Sequence, residues 1–229
     1  MVVKKNIIKK IVLPIGIVIV CLICSIISND YILGGITLIA GFLNAYYMAL
    51  GKWYNYIFGI IFNITYLVAC YFNGLYGLGI FTICIYLPLQ IYGLINWKKN
   101  QQNNNVEAKS FNVKKSFILC FSIILGSFAV GFLLDLIPTQ KLSYLDACSQ
   151  IINVSGVVLG SKAYREAWYV WIANNVIDLT IWIINSINNT PHSTMMLITS
   201  IMYLVMNIFG IVSWIVLEKK QKLEKSCKP

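Results

Sequence analysis

The chain has 229 residues, 59% hydrophobic and 11% charged, with a mean hydropathy of +0.74. A soluble domain keeps about a quarter of its residues charged, so this composition excludes a soluble globular protein and points to an all-α, polytopic membrane protein. The net charge of +10 raises nucleic acid as a partner, but the placement of the cations argues against it.

The apolar runs, in chain order, are 11–29, 31–50, 53–72, 75–97, 116–137, 143–161, 166–187 and 194–217. Each is roughly 19–24 residues, enough to cross about 30 Å of hydrocarbon at 1.5 Å per residue. The first run follows Lys4, Lys5, Lys9 and Lys10 and precedes Asn29 and Asp30. It lacks a small-residue cleavage pattern, so it reads as a transmembrane helix, not a secretory signal. The second run carries Asn44, Tyr46 and Tyr47, the third Asn63 and Tyr66, and the fourth Tyr86 and Gln90. Pro88 precedes Gln90 by two residues; it removes a backbone donor and can kink its helix there. The stretch "KKNQQNNNVEAK" at 98–109 reads as a solvated loop.

With the N-terminus in the cytoplasm and eight spans, every Lys and Arg of the 18 except Lys141 falls on the inner side. The loops are short, so the positive-inside rule applies in full and places both termini in the cytoplasm. The basic residues are then topology signals and lipid-surface contacts, and nucleic acid is not a partner.

Two segments look like counterparts. "QIYGLINW" (90–97) aligns with "NIFGIVSW" (207–214), pairing Gln90 with Asn207, Gly93 with Gly210 and Trp97 with Trp214. "NYIFGIIFNITYLV" (55–68) lies opposite "WYVWIANNVIDLTIW" (168–182), with Asn63 near Asn174 or Asn175. The pattern is that of two parallel halves, and such repeats put a substrate site near the midplane between them.

The seventh run holds the most informative residues. Trp168, Trp171, Asn175 and Asp178 fall on one helical stripe, with Asn174 beside it. Trp182 lies a turn further out, where an interface anchor is the competing role. An ionised aspartate at mid-span costs on the order of 3 kcal/mol, so Asp178 should face a cavity or a partner. Amides at depth also serve structural bonds between helices, and both roles stand for Asn44, Asn63, Gln90 and Asn207. Indoles suit a flat ring, cation–π attraction favours a positively charged one, and amides with hydroxyls suit a sugar.

Other chemistry is not encoded. No nucleotide-binding, nucleophile or metalloprotease motif is present, so no enzyme and no cofactor are expected. Cys21 and Cys24 form a CxxC within an apolar run. With Cys70, Cys84, Cys120 and Cys148 they read as small buried residues, and Cys227 lies in the basic tail. The lone histidine, His192, is a loop residue and no metal site is expected. Asp178 is the one acid deep in a span; Asp30, Asp135 and Asp146 sit near outer ends.

These residues resemble the PnuC family of bacterial vitamin transporters. Its WxxWxxxN motif is met by Trp168, Trp171 and Asn175, and "GKWYNYIFGIIFNITYLVACYFNGLYG" and "YLPLQIYGLINWKK" are also similar. The likeness runs from about residue 31 to 217. It implies a SWEET-like 3+1+3 core: a first triple bundle at 31–97, a cytoplasmic loop at 98–115, a linker helix at 116–137 and a second bundle at 143–217. An extra helix at 11–30 precedes it and a basic cytoplasmic tail at 218–229 follows. The resemblance further implies a homotrimer in the bacterial plasma membrane that carries nicotinamide riboside by facilitated diffusion, with trapping by cytosolic phosphorylation. Thiamine or a (deoxy)nucleoside is the alternative cargo. A substrate-binding subunit that needs an energising partner is the alternative role.

Overall fold

The computed structural model describes residues 13–27, 32–72, 81–102, 104–136, 143–188 and 193–226. Its helices are α1 (Leu13–Ile27), α2 (Leu33–Ala49), α3 (Asn55–Phe72), α4 (Leu87–Lys99), α5 (Val113–Asp135), α6 (Ser143–Ser161), α7 (Glu166–Ile187) and α8 (Ser193–Ser226). A π-helical turn at Thr82–Tyr86 runs directly into α4. Strands β1 (Gln101–Gln102) and β2 (Asn105–Val106) pair antiparallel between α4 and α5. Lys4, Lys5, Lys9, Lys10, Asn29, Asp30, Lys141, His192 and Cys227 lie outside the described residues, as do the side chains of Cys24, Cys70 and Trp182.

Local chemistry explains several boundaries. Pro88 occupies the first turn of α4. Its missing N–H would have bonded the carbonyl four residues back, and the ladder widens to π geometry just before it. Asn112 caps α5 by accepting the Lys115 amide at 3.1 Å, which satisfies a donor that the first turn leaves open. The turn after α2 needs a left-handed residue and has Gly51 at φ 68°. The turn after α6 uses Ala163 at φ 63° for the same purpose.

Neighbouring helices pack in sequence: α1 on α2, α2 on α3, α3 on α4, α5 on α6, α6 on α7 and α7 on α8. Two further contacts, α4 with α6 and α8 with α2, join the first set to the second. The outside is apolar. Phe117, Ile118, Phe121 and Phe128 of α5 are all more than 60% exposed. The interior is rich in amides, with Asn55, Asn63, Asn174, Asn175 and Asn207 all buried. That inversion of the soluble pattern suits a lipid solvent. Lys114–Asp135 and Ser200–Ser226 are long and apolar enough to cross a membrane; Leu33–Ala49 and Asn55–Val68 are shorter apolar helices.

Two local arrangements recur between the N-terminal and C-terminal helices. Gly51 N–H bonds the Met48 carbonyl and Ala163 N–H bonds the Gly160 carbonyl, both at 2.9 Å. Gly93 lies against the Tyr56 ring and Gly210 against the Trp168 ring. A Cβ at either glycine would collide with the facing ring, so the close helix approach depends on its absence.

Two expectations change. The segment 98–109 is not a solvated loop: it contains the β1–β2 pair, and Val106 is 1% exposed. Its backbone groups are used by partners distant in sequence, so composition alone gave no sign of order. Of the cysteines, Cys21 is buried, Cys148 is intermediate, and Cys84 and Cys120 are exposed on the apolar outside. Lipid is as good a solvent as the core for a small apolar side chain, so burial was not required.

Candidate functional site

The stripe on α7 is built from the basic end outwards. Trp168 is buried against Gly210 of α8 and contacts Trp214, with ring centroids 6.1 Å apart. Trp171 leans the other way, onto α6. A Cβ at Gly156 would lie 2.7 Å from its Cδ1, and one at Gly160 would lie 2.8 Å from its Cη2. The two indoles meet edge to face, with centroids 5.3 Å apart and planes at 74°. A flat ring stacked on one of them therefore meets the edge of the other, and the pair is not a parallel clamp.

One turn further out, Asn175 accepts a short hydrogen bond from the side-chain amide of Asn207. This bond ties α7 to α8, and both residues are buried. Asn174 donates to Asp178 Oδ2 at 2.8 Å, and Ser149 of α6 donates to Asp178 Oδ1 at 2.6 Å. Asp178 thus faces neutral donors from its own helix and from α6. Asn174 therefore belongs with Asp178, while Asn175 belongs with Asn207.

The first half has its own cluster of amides. Asn44 donates to the Asn55 carbonyl at 2.9 Å. A Cβ at Gly59 would lie 2.7 Å from Asn44 Nδ2 and 2.8 Å from Gln90 Cδ. Asn44 and Gln90 therefore both pack against Gly59, in space that a Cβ there would take. By chain position Gly59 is the counterpart of Trp171, and Asn44 the counterpart of Gly156. One half sets a large side chain on α2 over a glycine of α3; the other sets an indole of α7 over a glycine of α6. Asn63 donates to its own Gly59 carbonyl at 2.7 Å and to that extent serves its helix.

Three buried polar atoms in this region have no protein partner: Trp168 Nε1, Asn174 Oδ1 and Gln90 Oε1. One is a donor and two are acceptors. A buried polar atom without a partner costs roughly 1–3 kcal/mol, so each is a place for a ligand polar group or water.

Sequence reasoning passed over the polar face of α6. Tyr86 donates to Gln150 Oε1 at 3.2 Å and accepts from Asn153 Nδ2 at 3.1 Å. Ser149, Gln150 and Asn153 recur at helical spacing within an apolar run, and that periodicity was the signal. Among the described residues no group of three metal-ligating side chains occurs.

The nicotinamide riboside transporter PnuC of Haemophilus influenzae is 29% identical over 197 residues, covering 84% of this chain and 83% of that protein. PnuC of Neisseria mucosa is 26% identical over 202 residues, covering 85% of this chain and 76% of that protein. A crystal structure of the vitamin B3 transporter PnuC superposes with a TM-score of 0.76 at 24% identity over 91% of both chains, a likeness of fold. Residues 31–216 match the nicotinamide mononucleotide transporter family, the match starting just beyond α1 and ending in α8. The chain belongs to that transporter family.

Proposed function

We propose that this chain takes up nicotinamide riboside across a bacterial plasma membrane. In this reading the pyridinium stacks on an indole of the Trp168–Trp171 pair, and Asp178 attracts its positive charge. Trp168 Nε1, Asn174 Oδ1 and Gln90 Oε1 are then available to the carboxamide and the ribose. Asn175 is held by Asn207, and Asn44 and Asn63 belong to the first-half cluster of amides.

The observation that carries the choice of riboside over mononucleotide is the charge around the stripe. Leu33–Ala49, Asn55–Phe72, Ser143–Ser161 and Glu166–Ile187 contain no Lys or Arg, while Asp178 supplies a carboxylate. A phosphate there would be desolvated beside an acid with no cation to pair it, which is strongly unfavourable. A cationic nucleoside meets the reverse situation. Two of the compared relatives bear the name nicotinamide riboside transporter, which supports the same choice.

The architecture we infer is 3+1+3. Helices α2, α3 and α4 form one bundle, α6, α7 and α8 the other, α5 links them, and α1 is added outside. The matching turns at Gly51 and Ala163 support the pseudo-repeat, and the clustering of Lys and Arg supports a cytoplasmic basic face. Transport is facilitated diffusion through a homotrimer's protomers, with cytosolic phosphorylation retaining the product.

The test is titration of purified protein with nicotinamide riboside, nicotinamide mononucleotide and thiamine, followed by tryptophan fluorescence. Saturable riboside binding, lost in Trp168→Ala and Trp171→Ala, is the expected result and leads to a flux assay in liposomes. Binding of thiamine alone would assign another cargo to the same site. Tighter binding of the mononucleotide than of the riboside would overturn the charge argument.

A further inference from the structure

The segment Asn104–Phe111 touches both halves of the molecule at matching places. Val106 N–H donates to the Gly51 carbonyl at 2.9 Å, and Lys109 N–H donates to the Ala163 carbonyl at 2.8 Å. Gly51 and Ala163 are the two left-handed turn residues that end α2 and α6. One short segment therefore clips the two counterpart turns together, with its donors three residues apart.

Its anchorage is unequal. On the second half, Gln221 of α8 accepts from Ala108 N–H at 3.0 Å and donates to the Val106 carbonyl at 2.9 Å. Arg165 N–H donates to the Lys109 carbonyl at 2.9 Å, Ser110 Oγ donates to Glu218 at 3.3 Å, and Phe111 N–H donates to Glu166 at 3.0 Å. Lys225 and Glu107 form an ion pair. On the first half, the Val106–Gly51 bond and a bond from Lys52 Nζ to the Asn104 carbonyl at 2.9 Å tie it to the turn after α2, while the β1–β2 pair and a bond from Glu107 N–H to the Asn100 carbonyl at 3.2 Å hold it to the end of α4. The Val106 side chain meanwhile lies in one buried cluster that draws on both halves, with Met48, Ala49, Tyr56 and Trp97 from the first and Ala163, Trp168 and Trp214 from the second.

We propose that Asn104–Phe111 is a strap that closes the basic end of the pathway, moving with α8 and opening by release from the Gly51 turn. The proposal rests on the transporter reading above. Closure needs a link between halves that can be broken without unfolding either one, and the two hydrogen bonds to the Gly51–Lys52 turn meet that need, the β1–β2 hairpin remaining as the connection to α4. The strap is also placed to sense cargo. Val106 shares its cluster with Trp168, so a ring stacked on the indole pair bears on the packing that seats the strap.

Two experiments on the full chain decide it. In a protein whose seven native cysteines are replaced, Lys52→Cys and Asn104→Cys are joined by a short thiol cross-linker that reductant cleaves. Riboside uptake into liposomes should fall at least tenfold on cross-linking and return on reduction, with fluorescence-detected binding unchanged within about twofold. Uptake at the uncross-linked rate overturns the strap. The second experiment needs no cargo: hydrogen exchange of the unmodified protein, resolved at Val106 and Lys109. Val106 should exchange at least tenfold faster than Lys109. Equal rates, or Lys109 faster, overturn release at Gly51 whether or not the chain proves to carry the riboside.

Discussion

Trp97 and Trp214 occupy matching places in the two halves, and each reaches into the other half. Trp97 Nε1 donates to the Gly160 carbonyl and Trp214 Nε1 to the Met48 carbonyl, both at 3.0 Å. Their rings lie 5.7 Å apart. The bonded carbonyls are those that also receive the Gly51 and Ala163 amides. The basic end of the interface is thus tied by a reciprocal pair of indoles directly beneath the strap.

The indole of Trp171 should carry much of the binding. Trp171→Ala removes the stacking surface and should weaken riboside binding about 10- to 100-fold, corresponding to roughly 1.4–2.8 kcal/mol. Gly156→Ala provides an indirect form of the same test. The new Cβ would sit 2.7 Å from Trp171 Cδ1 and must displace the ring, at a cost of about 1–3 kcal/mol. Calorimetric titration of both variants checks this; full affinity in either removes the stacking role.

Asn207→Ala leaves the buried Asn175 carbonyl oxygen without its donor. Destabilisation of roughly 1–3 kcal/mol is expected from that alone. The double variant with Asn175→Leu should recover part of the loss, because both polar partners are then gone. Thermal denaturation in detergent measures this cycle. Additive losses would mean that the two amides do not depend on each other.

Asp178→Asn should weaken nicotinamide riboside more than its reduced, uncharged dihydro form, since the charge attraction is lost only for the cation. Ser149 and Asn174 keep a hydrogen-bonding partner in that variant, which limits the structural effect. Equal loss for the two ligands would make Asp178 a structural residue of the α6–α7 contact.

Glu218 makes the strap's anchorage sensitive to acid. Burial alone would raise its pKa. Hydrogen bonds from Lys222 and Ser110 and the charges of Arg165 and Lys222 outweigh burial and hold the carboxyl below its ordinary value. Glu166 is the other acid beside Arg165. A depressed folded value stabilises fully above the ordinary carboxylate range near 4.3 and is lost as pH falls through the folded value. Lowering pH from about 6 to about 3.5 should therefore reduce the protection of the Phe111 amide relative to its intrinsic exchange rate, which itself slows with acid. Glu218→Gln should flatten that dependence.

The polar groups of α7 were legible because they stand out at depth in an apolar run, but not that Asn175 turns to Asn207 while Asp178 turns to Asn174 and Ser149. The repeat was legible from glycine and tryptophan at matching positions. The angle between the indoles was not, because it is set by Gly156, Gly160 and Gly210 on neighbouring helices. The strap was hidden for a similar reason. Its letters are those of a solvated loop, and its order comes from remote carbonyls at Gly51 and Ala163. Ala163 itself gave no sign of a left-handed turn, which tertiary contacts impose on it.

The exchange of bulk between Asn44–Gly59 and Gly156–Trp171 has a consequence for symmetry. A symmetric dimer made from either half alone would carry two amide clusters or two opposed indoles, never one of each. Two segments within a single chain can differ at such positions, where two copies of one segment cannot. For the riboside proposed above, with a ring at one end and a sugar at the other, that asymmetry would set unlike surfaces against unlike ends.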